Sequence, residues 1–297
     1  MFARLKRQIL ALGSGRNVDF LAELALLLLG AFSGFLGALM GIGGGVIVVP
    51  ILILFFMLDA HQAVGTSLVM IIFTALFSTW AYYRQKRIDW KIGVLAAVTT
   101  IPGASLGAYT TKFFASESLG IIFGVFLLLV AAMMIRRSFL TNVSSNNPAT
   151  YNKHTSELLR RTWTRRIVDA SGKIFEYDAN IHSGLLLSFL GGFASGFLGI
   201  GGGLIVVPIF AIVIGLPMHL AVATSMVTMI FTSISGVSTH IMLGNVRIEY
   251  AVPLIIGITF GTQAGATAAR RLRSKTLERI FAIAVLAIGI WLIISRL

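Results

Sequence analysis

The residues with chemical potential in this 297-residue chain are few, and most of them are glycines. Gly41-Ile42-Gly43-Gly44-Gly45 recurs as Gly199-Ile200-Gly201-Gly202-Gly203. Each glycine disfavours helix by about 1 kcal/mol relative to alanine, so both runs are expected to break the helices around them. A break followed by a new helix start leaves backbone N–H groups without intrahelical acceptors, and the helix dipole adds to their attraction for an anion. Close helix packing and tight hairpin turns use glycine runs as well. Neither run ends in the Lys-Ser/Thr pair of a nucleotide-binding loop.

Hydroxyls follow each run. Thr66-Ser67 and Thr224-Ser225 open the next segment, with Thr74 and Thr232 eight residues beyond the first Thr, about two turns along one helical face. Such groups donate either to an oxyanion or to carbonyls of their own or a neighbouring helix. His61 and His219 hold equivalent places and suit proton coupling or a helix cap, while His240 and Gln263 lie inside uncharged spans as cavity candidates. The candidate substrate-binding set is Gly41, Gly43, Gly44, Gly45, Thr66 and Ser67 with Gly199, Gly201, Gly202, Gly203, Thr224 and Ser225. His61, His219, Thr74, Thr232 and Gln263 are candidates for coupling or cavity lining. No metal site, cofactor or catalytic constellation is indicated, so no enzymatic reaction is expected.

These residues must be positioned inside a membrane. The chain is 57% apolar and only 12% charged, with no cysteine, whereas a soluble domain carries about a quarter charged residues. Leu24 to Leu58, Gln62 to Tyr83, Ile92 to Thr111 and Ala179 to Val246 contain no Asp, Glu, Lys or Arg. At about 20 apolar residues per crossing, such stretches add up to about ten segments. The net charge of +13 comes from short clusters between spans, such as Arg84, Lys86, Arg87 and Arg270, Arg271, Arg273, Lys275. These read as cytoplasmic anchors against the bilayer, not as a nucleic-acid face. Glu23 and Asp59 only flank the first long span. A substrate that is itself an anion fits the lack of a midplane carboxylate.

The segments fall into two copies. Gly34 to Pro50 and Gly192 to Pro208 share 11 of 17 residues, and the offset of 158 continues through His61 and His219 to Gly107 and Gly265 without a gap. The 84–91 loop is basic where its counterpart 242–249 is not, and the next pair of loops reverses this. Equivalent loops on opposite sides of the membrane imply inverted repeats with an odd number of crossings each. On this count the N-terminus lies outside, although Arg4, Lys6, Arg7 and Arg16 favour the inside. The expected architecture is an all-α integral membrane protein of two inverted five-segment repeats with glycine-broken helices. The basic segment 1–19 precedes the first repeat at 20–137, and a polar basic connector at 138–179 leads to the second at 180–297. Helices are expected over 20–40, 42–58, 62–83, 91–112, 117–137, 180–198, 201–216, 219–242, 249–270 and 275–295.

The duplicated GIGGG-apolar-Pro segments, each followed by the AV-x-TS pattern at Ala63 to Ser67 and Ala221 to Ser225, resemble the sulfite exporter TauE/SafE family of bacterial membrane proteins. The resemblance covers about Leu21 to Leu297. It implies a multi-pass protein of the bacterial cytoplasmic membrane that moves sulfite or organosulfonate-type anions; the inside-negative potential, about 2.3 kcal/mol per charge per 100 mV, makes export the default direction. An anion channel, or an uptake permease for another small organic anion, remains the alternative.

Overall fold

The computed structural model describes residues 16–140 and 162–269, with single positions at 286, 290 and 294. Residues 1–15, the first part of the connector, the Arg270 to Lys275 cluster and most of the last expected helix lie outside the described residues.

The first half runs α1 (Arg16–Met40), α2 (Gly45–Leu54), α3 (Ala60–Arg84), α4 (Trp90–Thr110) with a closing turn at Thr111–Phe113, and α5 (Ser116–Leu140). A two-stranded hairpin follows, β1 (Thr162–Val168) paired antiparallel with β2 (Ile174–Asn180). The second half runs α6 (Ile181–Leu198), α7 (Gly203–Pro208, continued as π-helix over Ile209–Ile214), α8 (Met218–Met242) and α9 (Ile248–Ala268). Six of these helices are long and apolar enough to cross a membrane: α1, α3, α4, α6, α8 and α9. Three apolar stretches, in α2, α5 and the α7 region, are shorter. The described chain is thus a mostly helical, multi-pass membrane protein, with six helices of spanning length among the described residues beside the about ten segments read from the sequence. Large side chains such as Phe20, Leu28, Val98, Leu186 and Phe260 stay exposed on its outside, as a lipid-facing surface requires.

The short helices are return legs. A Cβ built on Gly44 would lie 2.7 Å from the Ser33 carbonyl oxygen, so the chain doubles back at the glycines instead of continuing α1. In the second half Gly184 abuts Ile214 while Gly191 abuts Val206, so α6 and the α7 leg run antiparallel. Left-handed backbone at Gly41, Gly43, Gly44, Gly199, Gly201 and Gly202 makes both reversals, a conformation that costs other residues about 1–2 kcal/mol. Pro208 withholds an N–H, and the helix widens to π just beyond it.

Long helices from different halves pack backbone to backbone. Gly34 meets Ile258, and Gly265 meets Phe35, so α1 and α9 run parallel; Gly192 meets Thr100, and Gly107 meets Phe193, so α6 and α4 do likewise. Each contact of one seam becomes a contact of the other under the 158 offset. At the centre Gly65 approaches His240 and Asn245 while Gly236 approaches Leu68, so the equivalent helices α3 and α8 are antiparallel.

The β-hairpin was not expected. Phe175, Tyr177 and Ala179 alternate inward along β2 and pack on Ile209, Phe210, Ile214 and Leu216. The second half of the connector is therefore a folded element docked on the α7 leg.

Candidate functional site

The two glycine turns meet each other. A Cβ on Gly45 would collide with the Gly199 carbonyl oxygen, and one on Gly203 with that of Gly41. Both turns pack on Ile71 and Met229, which stand near mid-length of α3 and α8 and are equivalent under the offset. The Met229 sulfur lies 2.8 Å from the Cβ position of Gly43 and 3.1 Å from that of Gly201. All glycines from Gly41 to Gly45 and from Gly199 to Gly203 are buried.

What the turns leave over is donors. The first amides of each return leg with partners are Ile47 and Val48, which donate to the Gly44 carbonyl, and Ile205 and Val206, which donate to that of Gly202. The N–H groups of Gly43, Gly44, Gly45 and Val46, and of Gly201, Gly202, Gly203 and Leu204, have no acceptor among the described residues. More than nine in ten buried backbone N–H groups in proteins are paired, which makes the amides of these buried glycines and of Val46 unusual. The side chains that touch the glycines carry no charge: Ile71, Met229, Val207, Val222, Ser33 and the serines described below.

All but Thr74 of the hydroxyls named from the sequence clasp one half to the other. The Ser67 hydroxyl lies 2.8 Å from both the Val64 and Gly199 carbonyls, and the Ser225 hydroxyl 2.8 Å from that of Val222 and 3.3 Å from that of Gly41. Thr66 Oγ1 accepts from the Arg247 amide and Thr224 Oγ1 from the Asp89 amide, each at 3.0 Å. Thr74 bonds the Met70 carbonyl one turn back, and Thr232 bonds the Thr228 carbonyl and Thr100 Oγ1.

The other candidates stand away from the turns. His61 Nε2 lies 3.1 Å from the carbonyls of Thr111 and Phe114, closing the end of α4. His219 and Gln263 are exposed. His240 Nε2 donates to the Gly196 carbonyl at 3.0 Å, and its Nδ1 accepts from Asn245 at 3.2 Å. Its counterpart Tyr82 donates to the Ala38 carbonyl at 2.6 Å, which is the same tie at the equivalent place.

A polar cluster at the start of α4 escaped the sequence reading. The buried Asp89 carboxylate caps α4 through the Lys91 and Ile92 amides and accepts two bonds from Arg165 at 2.9 Å and one from Tyr177 at 2.6 Å. Burial, and then the bond to Asp89, push the Tyr177 hydroxyl above its ordinary value, and the bond to Asp89 holds the Arg165 guanidinium firmly charged. Beside it Arg87 pairs with Asp169 at 3.0 Å. Burial alone would raise the Asp169 carboxyl, but bonds from Ser171, Arg87 and the Lys173 amide outweigh it and hold the group well below the usual carboxylate range.

A family model described as sulfite exporter TauE/SafE matches residues 26–292. The chain is 34% identical to probable membrane transporter protein YunE of Bacillus subtilis over 275 residues, covering 90% of this chain and 96% of the relative. It is 26% identical to a probable membrane transporter protein of Methanocaldococcus jannaschii over 292 residues, covering 93% and 97%. YdhB of Bacillus subtilis, also a probable membrane transporter protein, is 28% identical over 82% of this chain and 87% of its own. No solved structure matches. The family model spans nearly the whole chain and full-length relatives are named as probable membrane transporters, so this protein belongs to the sulfite exporter TauE/SafE family of membrane transporters.

Proposed function

We propose that the chain is a secondary transporter for a small sulfur-containing oxyanion of the sulfite or organosulfonate class, held between the two glycine turns. The observation that carries this reading is that the two buried glycine turns, whose amides have no acceptor among the described residues, meet each other at mid-length of α3 and α8. Leaving one such group unsatisfied costs about 1–3 kcal/mol, and an oxyanion seated among them offsets that cost. The family description supports the sulfur oxyanion. The donors are all neutral, which favours a singly charged ion over a doubly charged one, since no cation is at hand to offset the second desolvation.

The antiparallel packing of α3 against α8 supports two halves of opposite topology. In this reading the short return legs and the helix expected over 275–295 complete five segments per half. The turns are closed on each other by the Ser67 and Ser225 clasps, so substrate enters as one half rocks against the other. The inside-negative potential, about 2.3 kcal/mol per charge per 100 mV, drives an anion outward.

The test is flux of radiolabelled sulfite, thiosulfate and alkanesulfonates through purified full-length protein in liposomes. Saturable uptake or release of at least one of them, faster with a potential that pulls anions, is the expected result. Flux no greater than in protein-free liposomes contradicts the proposal, and an unsaturable ionic current replaces the carrier with a channel.

A further inference from the structure

Ser195 is the one buried hydroxyl at the turns that is not already engaged. Its side chain is 0% exposed, and its Oγ has no hydrogen-bond partner among the described residues. It lies one helical turn before Gly199, whose amide donates to its carbonyl. A Cβ placed on Gly202 would sit 3.3 Å from the Ser195 Cβ and 3.7 Å from its Oγ. The Ser195 side chain therefore packs against Gly202, in the middle of the second turn.

The other hydroxyls near the turns differ. Ser33, which flanks Gly44 in the first half, donates to the Gly30 carbonyl, and Ser67 and Ser225 lie within bonding distance of the carbonyls they clasp. Ser78, Thr79 and Ser233 are buried without partners among the described residues, but none of them is among the atoms nearest the Cβ positions of the turn glycines. Under the offset Ser195 corresponds to Gly37, so the first half has no hydroxyl at this place. A buried hydroxyl with nothing to bond is costly, and no packing role calls for the oxygen, since alanine would fill the same Cβ contact.

We propose that the Ser195 hydroxyl is a substrate ligand, donating to an oxygen of the anion alongside the amides of the second turn and making the second half the tighter half of the site. This rests on the anion reading of the turns. It predicts a site whose two halves hold the substrate unequally, with one oxygen fixed by a side chain that the first half cannot supply.

The test compares wild type, Ser195→Ala and Ser33→Ala, each full length in liposomes, with methanesulfonate and sulfite as probes. For Ser195→Ala the half-saturation concentration is expected to rise about tenfold, the scale of a hydrogen bond to a charged group, with little change in maximal flux. Its melting temperature without anion should equal or exceed that of wild type, and its stabilisation by anion should shrink. Ser33→Ala should keep the wild-type half-saturation. An unchanged half-saturation in Ser195→Ala overturns the assignment, and so does a lowered melting temperature with unchanged anion stabilisation, which marks a structural hydroxyl. Because the chain has no native cysteine, a second measurement uses Ser195→Cys, whose thiol should be protected from a cationic methanethiosulfonate by methanesulfonate but not by potassium gluconate. Labelling at the same rate with and without methanesulfonate counts against the assignment. If wild type itself shows neither flux nor anion stabilisation, the anion reading of the turns fails and takes this one with it; flux in wild type with an indifferent Ser195→Ala sinks only the present assignment.

Discussion

A methyl group added at Gly45 meets the Gly199 carbonyl, and one added at Gly203 meets that of Gly41. Both obstacles are backbone, which has nowhere to go without separating the halves. Gly45→Ala and Gly203→Ala are each expected to cost about 3 kcal/mol, the upper range for overpacking a tight core, read as a lowered melting temperature in detergent. Gly172 supplies the contrast: its φ is 82°, yet no atom lies within 4 Å of its Cβ position. Gly172→Ala should cost only the left-handed strain, about 1 kcal/mol. Equal losses at all three positions would contradict the packing described for the turns. The glycine motif and its duplication were legible because glycine has a distinctive cost in helices. Ser195 was not, because its significance depends on which hydroxyls are left without partners, and no spacing in the sequence records that.

The β-hairpin is the element that sequence reading missed. Its signal was present in Ile174 to Asn180, where apolar Phe175, Tyr177 and Ala179 alternate with Glu176 and Asp178 after a Ser171-Gly172 turn. Arg165 and Arg166 make the strand look like part of the polar basic connector, but Arg165 pairs with buried Asp89. Removing one member of a buried ion pair costs about 3–5 kcal/mol. Arg165→Ala is expected to lose about 3 kcal/mol of hairpin docking, measured as faster amide exchange in β1 and β2, with exchange in the α1–α9 seam unchanged. The Arg87–Asp169 contact adds a pH dependence with a definite sign. Because the Asp169 carboxyl is depressed in the folded chain, its contribution is complete above the unfolded value of about 3.9 and is lost as pH falls from there toward the folded value. Hairpin exchange should be flat from pH 5 to 8 in the pH-corrected rates and rise below about pH 4; a rise centred near pH 6 would contradict the assignment to Asp169.

For the whole molecule, hydropathy and the 158-residue offset anticipated the helical membrane class and where most long helices lie: α6, α8 and α9 begin or end within two residues of expectation. The second segment of each half was read as a full span, because composition reports apolarity but not the direction in which a chain leaves a glycine turn. The proposed inverted arrangement yields a topology prediction: a reporter after Lys86 reads cytoplasmic and one after Gly244 reads external, and same-side readings contradict it. The central claim is that backbone donors at the meeting of the two halves hold the anion. Glycine-selective ¹⁵N labelling tests it most directly, by following amide resonances while sulfite or methanesulfonate is titrated against a gluconate control. The account predicts saturable downfield proton shifts at Gly43, Gly44, Gly45, Gly201, Gly202 and Gly203. Saturable flux with those six resonances unmoved, and shifts confined to other glycines, would contradict it.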